Sequence, residues 1–187
     1  KTSHKGFVEG AYMIEVGQTH LQPEHRYLPG IFSSLIGRST QNQSEEMVNE
    51  ALESKGIMLS SATSADYIVY YFKCRSEDIG LLVSMLAEQL RKPALKKVEW
   101  EALQSRMIAG LQMSSDNTSH MASVAFSEVI YDRHSINHQD RPDEAIKMIS
   151  NTSIEQIRAY HASFDPTIGN WVIAGDVDQE AFMSAVK

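Results

Sequence analysis

Apolar and polar positions alternate from Phe7 to Gly17. Val8, Tyr12, Ile14 and Val16 fall on one side with Glu9 and Glu15 on the other, the period of a half-buried strand. After a turn around Pro23 the period lengthens. Leu28, Ile31, Phe32, Leu35 and Ile36 recur at helical spacing and predict a helix of about four turns from near Glu24 to Gly37. Ser44 then stands as an N-cap for a helix to Lys55, with Met47, Val48, Ala51 and Leu52 inward and Gly56 at its end. Ile57 to Leu59 and Asp66 to Lys73 read as a strand pair. The second of these is apolar on both faces, which places it centrally in a sheet.

Helical periodicity resumes at Ser76 and runs to Leu90, through Ile79, Leu82, Val83 and Leu86, until Pro93 stops it. Helices are expected over about Lys96–Ser114 and Ser119–Tyr131, broken at Ser115-Asp116-Asn117-Thr118, with a polar loop from Asp132 to Pro142. A short helix over Asp143–Ile149 follows. Ser153-x-x-Gln156 fits a capping box for the next helix, whose apolar face is Ile154, Ile157, Tyr160 and Phe164. Trp171 to Ala174 is a last strand, closed by Gly175-Asp176, and an amphipathic helix ends the chain. The expected fold is α+β: a two-layer sandwich of a mixed, mainly antiparallel sheet with helices on one face.

Composition adds limits. The 187 residues are 42% apolar and 22% charged, enough for one core, and nothing in them looks like a linker. Seventeen Lys and Arg against 24 Asp and Glu leave a net charge of −7, which argues against a nucleic-acid partner and against a polybasic membrane anchor. The longest apolar stretch, Ile79 to Ala87, is interrupted by Gly80 and Ser84 and is too short to span a bilayer. One cysteine, Cys74, leaves no disulfide framework and no thiolate zinc cluster. With Lys1-Thr2-Ser3-His4 at one end and a helix at the other, the chain reads as a domain excised from a longer one.

Candidate chemistry is sparse. His20-Leu21-Gln22-Pro23-Glu24-His25 resembles the inverted zinc-peptidase signature H-x-x-E-H but is one residue too long. The two histidines would stand roughly 140° apart around a helix, and Pro23 sits between them. A polar turn accounts for the segment. His134 and His138 share a loop with Asp132 and Asp140, where solvated histidines are the simpler reading than a metal site. His4, His120 and His161 pair with nothing at ligand spacing. Arg75 beside Cys74 would lower the thiol pKa if the thiol were exposed, but a small buried residue at a strand end is the expectation. Ser33-Ser34 and Ser60-Ser61 lack the G-x-S-x-G elbow of a hydrolase serine. Gly175-Asp176-Val177-Asp178 has no phosphate-cradling glycines, and its aspartates are expected to turn the chain and cap the last helix. Asn42, Asn117 and Asn151 stand in N-x-S/T triplets, which arise readily by chance.

The order of the pieces is more telling than any one of them. A Leu-Pro-Gly helix ends in Gly37-Arg38-Ser39-Thr40. Ser44-Glu45-Glu46-Met47-Val48, Leu86-Ala87-Glu88-Gln89-Leu90-Arg91-Lys92-Pro93-Ala94 and Glu99-Trp100-Glu101 follow, then Ile108-Ala109-Gly110-Leu111. The tail runs Ser153-Ile154-Glu155-Gln156-Ile157-Arg158-Ala159-Tyr160-His161 to Ala174-Gly175-Asp176-Val177-Asp178. Over nearly the whole chain this resembles the first-domain unit of the pitrilysin/insulinase family of zinc metallopeptidases, the inverzincins. It is most similar to the first domain of the second unit of a tandem bacterial zinc protease.

The resemblance implies a clamshell protease in which one unit carries H-x-x-E-H on the helix before a Gly-Thr turn and a glutamate on a later helix. Those positions fall here on Gly30, Ser33 and Ser34, and near Gly110, so no catalytic residue, metal ligand or cofactor is expected in this chain. Zinc is expected in the catalytic unit of the parent protein. Residues 1–187 would then be a single peptidase-like domain, a chamber wall helping to confine peptide or unfolded polypeptide. Its partners would be companion domains or a partner subunit, without nucleic acid or a membrane-spanning segment. An exported or periplasmic location would follow by analogy with bacterial relatives. A non-proteolytic scaffold or core-type subunit is the alternative, and an unfamiliar metal site using His20, His25, His134 or His138 a third.

Overall fold

The computed structural model describes residues 5–16, 21–64, 66–163, 165 and 169–186. Strand β1 (Phe7–Ile14) pairs on one side with β3 (Ile68–Arg75) and on the other with β4 (Asn170–Gly175). Strand β2 (Met58–Thr63) joins the outer side of β3, giving the order β2-β3-β1-β4. All three ladders are antiparallel, so the sheet is not mixed among the described residues. The placement of β3 inside the sheet agrees with its apolar pattern.

One face of the sheet is covered. Val8, Tyr12 and Ile14 of β1 and Ile68, Tyr70, Phe72 and Cys74 of β3 are buried at period two. Phe7, Tyr71 and Val172, on the other face, are at least half exposed. The helices are α1 (Leu28–Ile36), α2 (Glu45–Glu53), α3 (Ile79–Arg91), α4 (Lys97–Ser115), α5 (Thr118–Ile130), α6 (Pro142–Asn151), α7 (Ile154–Ala162) and α8 (Gln179–Val186); α1, α2 and α3 meet the sheet, and α5 and α6 pack on α4. Ile31, Phe32, Leu35 and Ile36 of α1 are fully buried against Leu86 and Leu90 of α3, Trp100 of α4 and Ile157 of α7.

Local chemistry explains most boundaries. Ser153 and Gln156 make both halves of the capping box at the start of α7, and Ser44 accepts from the Met47 amide at the start of α2. Gly56, at φ +63°, ends the α2 segment in the left-handed conformation that glycine takes without strain.

Three expectations change. The α1 helix starts at Leu28, not Glu24, after a separate 3-10 turn at Pro23–His25. Pro29, in its first turn, lacks an N–H, and its ring would clash with the carbonyl four residues back in a longer helix. Met47 is 54% exposed: only Val48 of α2 is fully buried, and Met47 stands on the solvent side. Strand β2 runs on through Ser60 and Ser61 because it is an edge strand whose backbone, more than its side chains, holds it to β3. Phe164, expected on the α7 face, lies outside the described residues.

Candidate functional site

Helix α1 carries the residues at issue. Gly30, Ser33 and Ser34 lie on it, with Ser33 buried against β2 and Ser34 exposed. The Ser33 hydroxyl donates to Ser61 Oγ at 2.8 Å, and Ser61 Oγ in turn donates to the Ser33 carbonyl at 3.3 Å. The Ser34 hydroxyl donates to the Gly30 carbonyl at 2.8 Å, a bond within the helix. The two serine pairs noted in the sequence thus meet, one across helix and strand. Among the described residues no histidine lines the space around them to act as a base, so these residues alone do not compose an activated nucleophile.

That space is a cavity of about 310 Å³, between the end of α1, β2, α2 and α3. Ser33, Arg38, Glu45, Ser61, Tyr70 and Gln89 line it. Arg38 reaches Glu45 at 3.4 Å, which offsets its charge. Burial holds the Tyr70 phenol well above its ordinary range, so it stays protonated as a hydrogen-bond donor. Gln89 is a polar residue at a core position. Its signal was position: three residues after Leu86 and seven after Leu82, it occupies the buried stripe of α3 with a polar head.

Zinc does not fit the α1 residues. Glycine offers no side chain, and the two serines offer neutral hydroxyls already engaged with protein acceptors, where zinc takes imidazole, thiolate or carboxylate. Gly110 lies on an open part of α4, where an added Cβ would meet nothing within 4 Å. Among the described residues, no three His, Cys, Asp or Glu side chains converge as a metal site.

The histidines disperse. His20 and His4 lie outside the described residues. His25 is exposed in its 3-10 turn, and His134 is an exposed loop residue with Nδ1 3.0 Å from Asp132. His138 departs from the solvated expectation, with a side chain only 10% exposed. Its Nδ1 faces the Tyr131 carbonyl at 3.2 Å and its Nε2 lies 3.8 Å from Asp140. Asp140 is the buried anchor of this loop, with Arg26 Nε at 3.5 Å and the Tyr27 hydroxyl donating to it at 3.0 Å. Burial and the Asp140 carboxylate together push the Tyr27 phenol up, so it remains a donor. His161 is structural: its Nε2 is 2.8 Å from the Leu90 carbonyl, and its ring stacks on Phe32.

Cys74 is buried, and burial with the nearby Asp78 carboxylate pushes its thiol up to about 11. Arg75 gives it no help, because that guanidinium is held by Asp78 at 2.8 Å and Glu77 at 2.7 Å. At pH 8 only about one thiol in a thousand is then thiolate. An aromatic disulfide reagent should label the native chain at least about 100-fold more slowly than the urea-unfolded chain. Comparable rates would contradict the burial. Asp178 accepts from the Glu180 amide at the start of α8, and Asp176 accepts from the Gly6 amide, as expected of capping and turning aspartates.

Residues 11–140 match the family model described as insulinase, peptidase family M16. The chain belongs to the insulinase family. Among curated proteins, the mitochondrial-processing peptidase subunit beta of Saccharomyces cerevisiae is 30% identical over 109 residues, 58% of this chain and 22% of that protein. The insulinase fold is equally evident in solved structures. A protease from Helicobacter pylori superposes with a TM-score of 0.83 at 17% identity, over 98% of this chain and 44% of the other. The inactive domain of an M16 peptidase from Pseudomonas fluorescens superposes at 0.82 with 15% identity, over 99% and 45%. This insulinase-family chain therefore spans less than half the length of these relatives.

Among the described residues no helix is long and apolar enough to cross a membrane.

Proposed function

We propose that the chain is a non-catalytic domain of an insulinase-family protease, one wall of a chamber whose zinc-bearing unit lies elsewhere in the parent protein. The observation that carries this is the content of α1. The positions where the family places its H-x-x-E-H motif correspond to Gly30, Ser33 and Ser34, and the later glutamate to the neighbourhood of Gly110. None of these residues supplies an imidazole or a carboxylate. The Ser33 hydroxyl instead bonds Ser61 of the neighbouring strand at 2.8 Å.

The outer surface supports a companion. Phe126, Val129 and Ile130 share one face of α5 and are 65%, 86% and 52% exposed, more apolar surface than a helix end ordinarily shows to water. Packing against a neighbouring domain of the parent chain would cover it. Residues 1–187 would accordingly be one domain of a longer protein, with peptide or unfolded polypeptide as the parent's substrate.

The test is elemental analysis and peptide cleavage on the same samples. The 187-residue chain is expected to hold far less than one zinc per molecule after exposure to the ion, and to leave a mixed peptide substrate intact. One bound zinc with cleavage would overturn the proposal. The parent protein is expected to cleave peptides and to lose that activity when this domain is deleted. A parent without cleavage at all would favour the scaffold alternative.

A further inference from the structure

The cavity beside Ser33 holds polar groups that the protein leaves without partners. Gln89 is 1% exposed, and neither its Oε1 nor its Nε2 has a hydrogen bond. The Tyr70 hydroxyl and Arg38 Nε, lining the same space, are also buried and unpartnered. Roughly 90% or more of buried polar groups in native proteins are bonded to protein or to ordered water, so three such side chains around one cavity mark it as a place for a polar group. Exchanging the two ends of the Gln89 amide changes nothing, because both ends lack a bond.

We propose that this cavity binds a carboxamide group, seated against Gln89 with its oxygen toward Tyr70 and Arg38. The chemistry of the lining selects that group. Gln89 presents one donor and one acceptor side by side, which another carboxamide satisfies with two bonds. The oxygen's second lone pair is left for one further donor, the Tyr70 O–H or the Arg38 N–H. A carboxylate has no donor for Gln89 Oε1, and Glu45 already offsets the Arg38 charge it would need. A hydrocarbon group would leave every orphan unsatisfied. The volume, about 310 Å³, is at the small end of ligand pockets and suits a short side chain or a small molecule. Ser60 and Ser61 of the edge strand line the cavity, and the group has two sources, free glutamine and a Gln side chain on a peptide. This site does not depend on the reading of the chain as a non-catalytic unit.

The test is an amide-detected NMR titration of the 187-residue chain. The probes are L-glutamine and acetyl-Ala-Gln-Ala-N-methylamide, with the Leu and Glu versions of the peptide as controls. Saturable shifts are expected at the Gln89 side-chain amide and at the Ser33 and Ser61 backbone amides. The controls should bind at least about tenfold more weakly, the loss of roughly one hydrogen bond to a buried polar group. Gln89→Met and Tyr70→Phe, each verified as folded by thermal melting, should weaken the glutamine-containing probe by about tenfold or more. Binding of the peptide alone assigns a peptide side chain, and binding of both probes admits the free amino acid. The proposal is overturned if neither probe shifts these signals. It is equally overturned if the Leu or Glu peptide binds as well, or if both variants leave binding unchanged.

Discussion

Replacing Gly10 with valine should lower the stability of the domain by about 3 kcal/mol, near the upper end of what overpacking costs. Gly10 sits in the middle of β1, opposite Phe72 on one side and Ile173 on the other. A Cβ there would enter the van der Waals shell of the Val172 carbonyl oxygen and stand 2.7 Å from Phe72 Cζ. The oxygen belongs to a neighbouring strand's backbone and cannot swing aside as a side-chain tip can. The strands must spread, and the β1 ladders to both neighbours lengthen together. Urea unfolding should show a lower midpoint with an unchanged slope. Gly110→Ala is the matched control with the opposite sign. Its Cβ meets nothing within 4 Å, and alanine in the interior of α4 should add about 0.5–1 kcal/mol. Equal effects at the two glycines would contradict the close strand approach.

Asp140→Ala should be as damaging, at about 3 kcal/mol, by another route. The Asp140 side chain is 1% exposed and Arg26 is 12% exposed, so the substitution leaves a buried guanidinium without its countercharge. It also leaves the Tyr27 hydroxyl without its acceptor. The loss falls at the low end of the range for broken buried pairs because Arg26 keeps carbonyl acceptors at Pro23 and His138, 3.3 and 3.0 Å away, and at Arg133. Asp140→Asn retains an acceptor for Tyr27 and should lose less. Thermal melting of the two variants measures the order. An alanine variant as stable as the parent chain would mean that the ion pair contributes nothing net.

These two sites show where sequence reading succeeds and stops. The buried stripe of α1, the central place of β3 and the capping box of Ser153 and Gln156 were legible because each is written within a few residues. The sequence puts the start of α1 one turn early because the Pro23 turn leads straight into the apolar stripe, whereas Pro29, without an N–H, sets the boundary at Leu28. Strand β2 was cut short at Leu59 because Ser60 and Ser61 carry no apolar alternation, although their backbones pair with Tyr71 and Tyr70. The anchor at Asp140 joins residues more than 110 positions apart, and no local pattern reports such a meeting. The cavity was half legible. Its serine pairs were visible in the chain, whereas their convergence with Tyr70 and Gln89 depends on how α3 lies over β3.

The apolar face of α5 has a consequence for the domain as a solute. Phe126, Val129 and Ile130 face water along one helix surface, on a chain whose formal charge of −7 supplies only modest mutual repulsion. Salt shortens the reach of that repulsion and leaves the attraction between exposed hydrocarbon faces intact. The chain alone is therefore expected to adhere to itself increasingly as salt or protein concentration rises, a trend that light scattering would read.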